Sequence, residues 1–164
     1  MSQTDVTLKD IESVSNQLGR PARDIVAIAA RCVCGNPVVV KTKPRLEDGT
    51  PFPTVYYLTL PAATAAVSTL EATGLMAELQ SRLADEPELA RGYLMAHQSY
   101  LADRQELGIV EEISGISAGG MPDRVKCLHS LVAHSLAKGK GVNPIGDIAL
   151  EQCSWSPDRC VCEK

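Results

Sequence analysis

One segment of the chain concentrates the side chains best suited to chemistry. The stretch GGMPDRVKCLHSLVAHSLAKG, residues 119–139, holds Cys127, His129 and His134 together with one arginine and two lysines. Thiolates and imidazoles bind zinc, whereas cationic side chains and the free N–H groups at a helix start bind anions. The segment therefore allows three interpretations: a metal site, an anion site, or a core helix with histidines at the edges of its apolar face.

Helical spacing within this segment disfavours a metal site made from the segment alone. Cys127 and His134 would share a helix face but lie about 10 Å apart along the axis, too far for one ion with bonds of about 2.0–2.3 Å. His129 and His134 would be turned about 140° apart, unlike the i, i+4 pair of zinc helices. The spacing favours a buried cysteine and two boundary histidines, unless Cys127 or His129 combines with ligands from elsewhere.

The other cysteines form two groups. Cys32 and Cys34 lie in a predicted strand, where full extension separates them by about 7 Å, so they could share an ion only if the chain turned at Cys34–Gly35. The tail carries a C-x6-C-x-C cluster that could fold around zinc with a fourth ligand from Cys34 or a histidine. The alternative is a set of unpaired thiols. The tail cluster is Cys153, Cys160 and Cys162. The candidate ligands for zinc or iron are Cys32, Cys34, Cys127, His129 and His134.

An anion site is predicted at residues 117–126, where two glycines lead into the predicted helix. A glycine pair lets the backbone approach a ligand closely, and the first N–H groups of a helix attract negative charge. Cations at a strand end and a second glycine-rich loop at 139–147 would complete a cleft for a phosphate or carboxylate compound. The alternative is that the glycines only permit a tight turn and the cations are solvated. The predicted binding residues are Gly119, Gly120, Arg124, Lys126, Arg45, Lys43 and Asn143.

Whether the chain is an enzyme is left open by its sequence. The acid–base candidates are His129, Asp48 and Asp147. Cys127 would be a thiolate nucleophile if His129 were its base, but i, i+2 positions on a helix send their side chains to opposite sides. No Ser/His/Asp order, metal-hydrolase motif or dinucleotide fingerprint is present.

Composition limits the class of protein and its partners. With a net charge of -4, 4% aromatic residues and no basic block, a nucleic-acid partner is not expected. No stretch approaches the roughly 20 apolar residues that span a bilayer, and the start of the chain has no signal-like apolar run. We therefore expect a cytoplasmic protein whose six cysteines are thiols or metal ligands. Alanine-rich helices over 61–106 could bind a partner or a second copy, so the oligomeric state stays open.

The pattern of elements predicts an α+β fold. A capped helix at 8–18 precedes three short strands, in DIVAIAARCVC, VVVKTK and VYYLTL, which form a small, mostly antiparallel sheet. Several helices follow, including one that starts at Pro122 and a short last one that starts at Pro144, and we expect the helices to pack on one face of the sheet. We expect a single domain over 1–150 and an irregular cysteine-containing tail over 151–164.

Three stretches carry a resemblance to a known family. RCVCGNPVVVKT, RLEDGTPFPTVYYLTLP and SAGGMPDRVKCLHSLVAHSLAKGKGVNPIGD resemble the bacterial family called domain of unknown function 501, over roughly residues 8–150. That family has no established activity. Its members are often encoded near a septum-formation initiator and an exopolyphosphatase-like enzyme, which implies a weak link to cell division or phosphate metabolism. Small-anion binding is the first expectation, a metal-stabilised regulatory or structural protein the second, and an adaptor linked to cell division the third.

Overall fold

The structure is a computed structural model that describes residues 5–162. The helices are α1 (Leu8–Leu18), α2 (Pro61–Glu71), α3 (Leu75–Asp85), α4 (Pro87–Gln105), α5 (Leu128–Lys138) and α6 (Pro144–Gln152). The strands are β1 (Ile25–Arg31), β2 (Pro37–Thr42) and β3 (Tyr56–Leu58), and both strand pairs are antiparallel in the order β1-β2-β3. The predicted α+β class is confirmed. Among the described residues, no helix is both long and apolar enough to cross a membrane.

Helix α1 forms where its sequence signals place it. The Thr7 hydroxyl accepts a hydrogen bond from the Asp10 backbone N–H, and the Asp10 carboxylate accepts one from the Thr7 N–H. Asp10 also forms a 2.8 Å ion pair with Arg31 of β1, and that hydrogen-bonded guanidinium lowers the pKa of Asp10 to about 2. The helix is therefore both capped and fastened to the sheet by one carboxylate.

The sheet is covered on both faces. Val14 of α1 packs with Ile28 and Val40, which are partners across β1 and β2. On the other face, Val39 and Leu58 join the main core, to which helices α2 to α6 contribute. The expectation that the helices lie on one face is thus wrong for α1, because β2 is buried along both of its sides.

The segment before α5 differs from the predicted helix that starts at Pro122. Helix α5 begins at Leu128, and residues before it form turns. The Gly119 carbonyl accepts the Lys126 N–H at 2.8 Å, and Gln80 of α3 accepts the Val125 N–H through its side-chain oxygen at 2.9 Å. These bonds replace the i to i−4 ladder. The segment IVEEIS, residues 109–114, forms one 3-10 turn at Glu111–Ile113.

His134 lies at the centre of the main core and has no exposed surface. Its ring stacks on Tyr56 and meets Tyr100 edge-on, with ring centroids 5.7 and 5.0 Å apart. The Asn143 amide nitrogen lies 3.1 Å from Nδ1, and the amide oxygen of Asn143 accepts the Gly146 N–H. The amide therefore donates to Nδ1, which keeps the ring neutral. Burial lowers the pKa of His134 to about 4. The charge of Lys138 acts in the same direction, and the charges of Asp103 and Asp147 oppose it.

Helices α5 and α6 cross in close contact at Gly146. A Cβ at this position would overlap the Leu131 carbonyl and the Ser135 hydroxyl of α5. The other helical glycine, Gly92 of α4, faces only the ring of Pro144, 3.1 Å from where its Cβ would lie. Gly146 therefore sets the separation between the last two helices.

Burial of neutral His134 predicts that acid destabilises the fold. The pKa of His134 falls from its ordinary 6.5 to about 4 on folding, so between these values the unfolded chain binds a proton that the native chain does not. Stability therefore falls as pH falls through this window, by about 3 kcal/mol between pH 7 and pH 4. Urea unfolding of the wild type and of His134→Gln measures this. If the difference in unfolding free energy between the wild type and His134→Gln is the same at pH 7 and at pH 4, the prediction is wrong.

A methyl group at Gly146 should push α5 and α6 apart. Overpacking of this kind costs about 1–3 kcal/mol, and Gly146→Ala is expected to lower stability by that amount despite the better helix propensity of alanine. The matched control is Gly92→Ala, which should stay within about 1 kcal/mol of the wild type because alanine favours the helix. Urea unfolding compares the two variants, and equal stabilities would show that the crossing is not closely packed.

Candidate metal centre

Four cysteine thiols converge at one end of the sheet. Cys32, Cys34, Cys160 and Cys162, here called the four-cysteine centre, place their Sγ atoms within 4.8 Å of one another. Four thiolates around a tetrahedral zinc ion with bonds of about 2.3 Å are about 3.8 Å apart. Small side-chain rotations would therefore bring all four sulfurs to one ion.

A tight turn brings the first two thiols together. Strand β1 ends at Arg31, and the chain turns back at once: Gly35 N–H donates to the Cys32 carbonyl and Cys32 N–H to the Asn36 carbonyl, both at 2.8 Å. Gly35 has a φ of 97°, a left-handed conformation that glycine adopts readily. The chain thus turns at Cys34–Gly35, which is the turn that Cys32 and Cys34 need in order to share an ion. The separation of about 7 Å between these two residues in an extended strand therefore does not apply.

The tail reaches this turn by docking on the main core. Beyond α6 the described residues form no helix or strand, as expected, but Trp155 is only 5% exposed and packs in the main core. The Pro157 carbonyl then accepts the Val33 N–H at 3.3 Å. These two contacts hold the tail beside the Cys32–Asn36 turn, and Cys160 and Cys162 follow directly.

The protonation of the four-cysteine centre is uneven. The backbone N–H of Asn36 donates to Cys34, and this bond, together with those from the neighbouring thiols, outweighs desolvation and lowers the pKa of Cys34 to about 7. Burial raises the pKa of Cys162 to about 12, although the Asn36 side chain opposes it. Burial also raises the pKa of Cys32. Without a cation, the centre therefore holds one thiol that ionises readily, Cys34, beside two that keep their protons, Cys32 and Cys162.

A second group of ligand-type side chains lies at the amino end of α5. Glu71, Cys127 and His129, here called the Glu–Cys–His group, offer a carboxylate oxygen, a thiol and an imidazole nitrogen within 4.8 Å of one another. The prediction that Cys127 and His129 point to opposite sides is wrong. It assumed that both lie inside a helix, whereas Cys127 has extended backbone at the N-cap of α5, with φ -151° and ψ 113°.

Charge is shared within the Glu–Cys–His group. The hydrogen bond between His129 and Cys127 raises the pKa of His129 to about 9. The Glu71 carboxylate adds to this effect, and burial opposes it. Burial raises the pKa of Cys127, but hydrogen bonds from His129 and from Ser130 lower it by more, so the net shift is downward. Two arrangements are compatible with this geometry: a thiolate–imidazolium pair, or three ligands of one metal ion.

The remaining metal candidate lies outside both groups. His134 is in the core, where its ring contacts tyrosines and Asn143. Cys153 packs against the core and belongs to neither group. The sequence placed Cys160 and Cys162 in a tail cluster but could not pair them with Cys32. Glu71 was missed, because it lies on α2, far along the chain from Cys127, and no local spacing marks it.

The predicted anion-binding glycines serve tight packing in the structure. A Cβ on Gly119 would lie 2.7 Å from the Leu131 side chain, and one on Gly120 would lie 2.7 Å from the Arg124 carbonyl. Cys127 and Lys126 direct their backbone N–H groups to the Gly119 carbonyl. Anion binding at residues 117–126 stays a prediction.

The other predicted binding residues are distributed over several elements. Arg45 forms an exposed 2.8 Å ion pair with Glu112. Lys43 lies just beyond β2, where its backbone N–H donates to Asp24, and Asn143 caps α6 and contacts His134. None of these contacts joins them to Arg124 or Lys126.

The two acidic catalytic candidates belong to neither group: Asp48 lies in the loop between β2 and β3, and Asp147 in the first turn of α6. Asp48 accepts the Thr50 N–H and borders a cleft of about 660 Å³ beside α1 and β2. Asp147 accepts the Gly141 N–H at 2.9 Å and so fixes the loop before α6. Of the acid–base candidates, only His129 belongs to a cluster of reactive groups.

Comparison with known proteins identifies the family. A family model described as protein of unknown function (DUF501) matches residues 28–151, which is most of the chain. No curated protein matches the chain, and no solved structure matches it. The matched range includes Cys32 and Cys34 of the four-cysteine centre and the whole Glu–Cys–His group, and it ends before Cys160. The chain therefore belongs to the DUF501 family of proteins of unknown function.

Proposed function

We propose that the protein is a zinc-binding protein in which one ion at the four-cysteine centre fastens the tail to the turn after β1. The observation that carries this proposal is the convergence within 4.8 Å of two Cys-x-Cys pairs that are far apart in the sequence, one directly after β1 and one in the tail. Soft thiolates in a tetrahedral four-sulfur set select zinc or iron over hard cations such as magnesium and calcium. Zinc, which is redox-inactive, is the ion we assign.

The surroundings of the sulfurs support a role as metal ligands. Four thiolates around one divalent ion leave a net charge of −2, which N–H donors to sulfur offset. The Cys34 N–H donates to the Cys32 sulfur, and the Asn36 N–H donates to the Cys34 sulfur. Asn36 also reaches Cys162 through its side chain. One turn thus supplies two ligands and the groups that orient three of the four sulfurs.

The ion in this proposal has a structural role. Four protein ligands complete a tetrahedral shell and leave no position for a substrate, which is the arrangement of structural zinc sites. Besides this centre, the tail contacts the rest of the protein through the packing of Trp155 and the bond between Val33 and Pro157, among other contacts with the main core. Bonds to one ion from the turn after β1 and from the tail would make the tail part of the cooperative fold, because metal binding to the native state adds directly to folding free energy.

Loss of one thiol should remove the ion and loosen the tail. Reduced wild-type protein without a histidine tag is expected to hold zinc at the four-cysteine centre. Cys160→Ala should lose this ion. Cys153→Ala, which changes a tail cysteine outside the centre, should retain it. Zinc buffered at about a thousand times its Kd adds about 4 kcal/mol, so the Tm of the wild type should rise by about 8–16 °C. Elemental analysis and thermal unfolding measure these effects.

Backbone amide exchange locates the effect. Chelation of the wild type should speed exchange at residues 155–162 and 32–36, while the core strand β2 stays protected. If Cys160→Ala and Cys153→Ala hold equal amounts of zinc, or if chelation leaves the tail unchanged, the proposed role of the four-cysteine centre is wrong. If elemental analysis finds iron and not zinc at the same four thiols, the ion assigned to the four-cysteine centre would be iron.

A further inference from the structure

We propose that the Glu–Cys–His group is a second metal site, which binds a divalent ion of the zinc class through three protein ligands and leaves one position open. The assignment is independent of the four-cysteine centre, because the two groups share no residue. It rests on the separation of the ligand atoms, on the hydrogen bonds that orient them and on their combined charge.

The separation of two ligand atoms fits a single ion. His129 Nδ1 lies 3.2 Å from Glu71 Oε1. Nitrogen and oxygen ligands at about 2.0–2.1 Å from a tetrahedral zinc ion are about 3.3 Å apart. The Cys127 sulfur lies within 4.8 Å of the ligand atoms of both residues. A rotation of the Cys127 side chain would complete the set while its partners stay in place.

The ligand residues are held by their other polar atoms. Glu71 Oε2 accepts the backbone N–H of Leu128 at 2.8 Å, which leaves Oε1 directed toward His129. His129 Nε2 lies 3.1 Å from the Ser68 hydroxyl and 3.2 Å from the Thr64 carbonyl, and because the carbonyl only accepts, these contacts fit a ring with its hydrogen on Nε2. Metal-binding carboxylates and imidazoles are commonly oriented in this way, by hydrogen bonds from the atoms that do not touch the ion.

A neutral His129 ring with its hydrogen on Nε2 would favour a cation between His129 and Glu71. With the hydrogen of the neutral ring on Nε2, the lone pair of Nδ1 faces the Glu71 carboxylate, and two acceptors 3.2 Å apart repel unless a cation lies between them. A proton or a metal ion meets this need. A carboxylate and a thiolate carry two negative charges and neutral imidazole carries none, so a divalent ion neutralises the set.

The group is open to solvent, unlike a closed four-ligand site. The His129 and Glu71 side chains are 25% and 23% exposed, and no fourth Cys, His, Asp or Glu ligand joins them among the described residues. Three protein ligands with water in the fourth position characterise catalytic zinc sites, where the ion makes its bound water more acidic. The open position would accept water or a small anionic ligand.

Metal counting in variants tests the second site. Reduced, metal-free wild type titrated with Zn²⁺ is expected to bind two ions per chain, and Glu71→Gln and Cys127→Ala one each. Glutamine keeps an acceptor for the Leu128 N–H but loses the negative charge, so the start of α5 should remain capped. The matched control Cys153→Ala should bind two ions. Circular dichroism verifies that each variant is folded.

The same titration separates this inference from the role of the four-cysteine centre. Cys160→Ala should bind one ion, and Cys160→Ala combined with Glu71→Gln should bind none. If the four-cysteine centre binds no metal, the wild type would bind one ion that is lost in Glu71→Gln and kept in Cys160→Ala. If Glu71→Gln binds as many ions as the wild type, the second site does not exist and the group is a thiolate–imidazolium pair.

X-ray absorption of the wild type loaded with two zinc ions needs no variant. Four sulfurs at the first site and one at the second should give, on average, fewer than four sulfurs per zinc, with nitrogen or oxygen in the first shell. Purely sulfur coordination would overturn the second site.

Discussion

The convergence of four sulfur atoms within 4.8 Å is the constraint on which the turn after β1 and the tail depend. It requires a sharp turn directly after β1, a tail that crosses the core, and donors that compensate negative charge on sulfur. The turn from Cys32 to Asn36 meets the first and third requirements, and Trp155 meets the second by packing in the main core. The tail is irregular because its path is determined by these contacts and not by helical or strand periodicity.

Helix α5 connects the core to the second group of ligands. Its middle is fully buried, with His134 among tyrosines and Leu131 against α6, so the helix cannot shift without disturbing the main core. The same rigidity fixes its first turn, where Cys127 and His129 meet Glu71 from α2. A well-packed helix is a precise support for reactive side chains, which is why this group, on ordered elements, keeps its geometry although it is open to solvent.

The elements that depend on neighbouring residues could be predicted from the sequence. The cap of α1, the valine-rich β2 and the proline start of α6 all act within a few positions and formed as expected. The start of α5 could not be predicted in this way. Residues 119–127 are held by long-range bonds, such as Gln80 to Val125 and Tyr93 to the Arg124 carbonyl, and these override the helix signal of Pro122.

The functional residues follow the same division between local and distant contacts. The Cys-x-Cys pairs were visible, but their meeting depends on tertiary docking, and Glu71 has no signal near Cys127. The sequence predicted an anion site at residues 117–126 because the first N–H of a helix attracts an anion, and that prediction assumed a helix start at Pro122, whereas α5 starts at Leu128. In the structure that N–H, on Leu128, is bonded to the carboxylate of Glu71. The helix end thus holds an anion from the chain itself, and this anion, beside Cys127 and His129, completes the group that we propose as a second metal site.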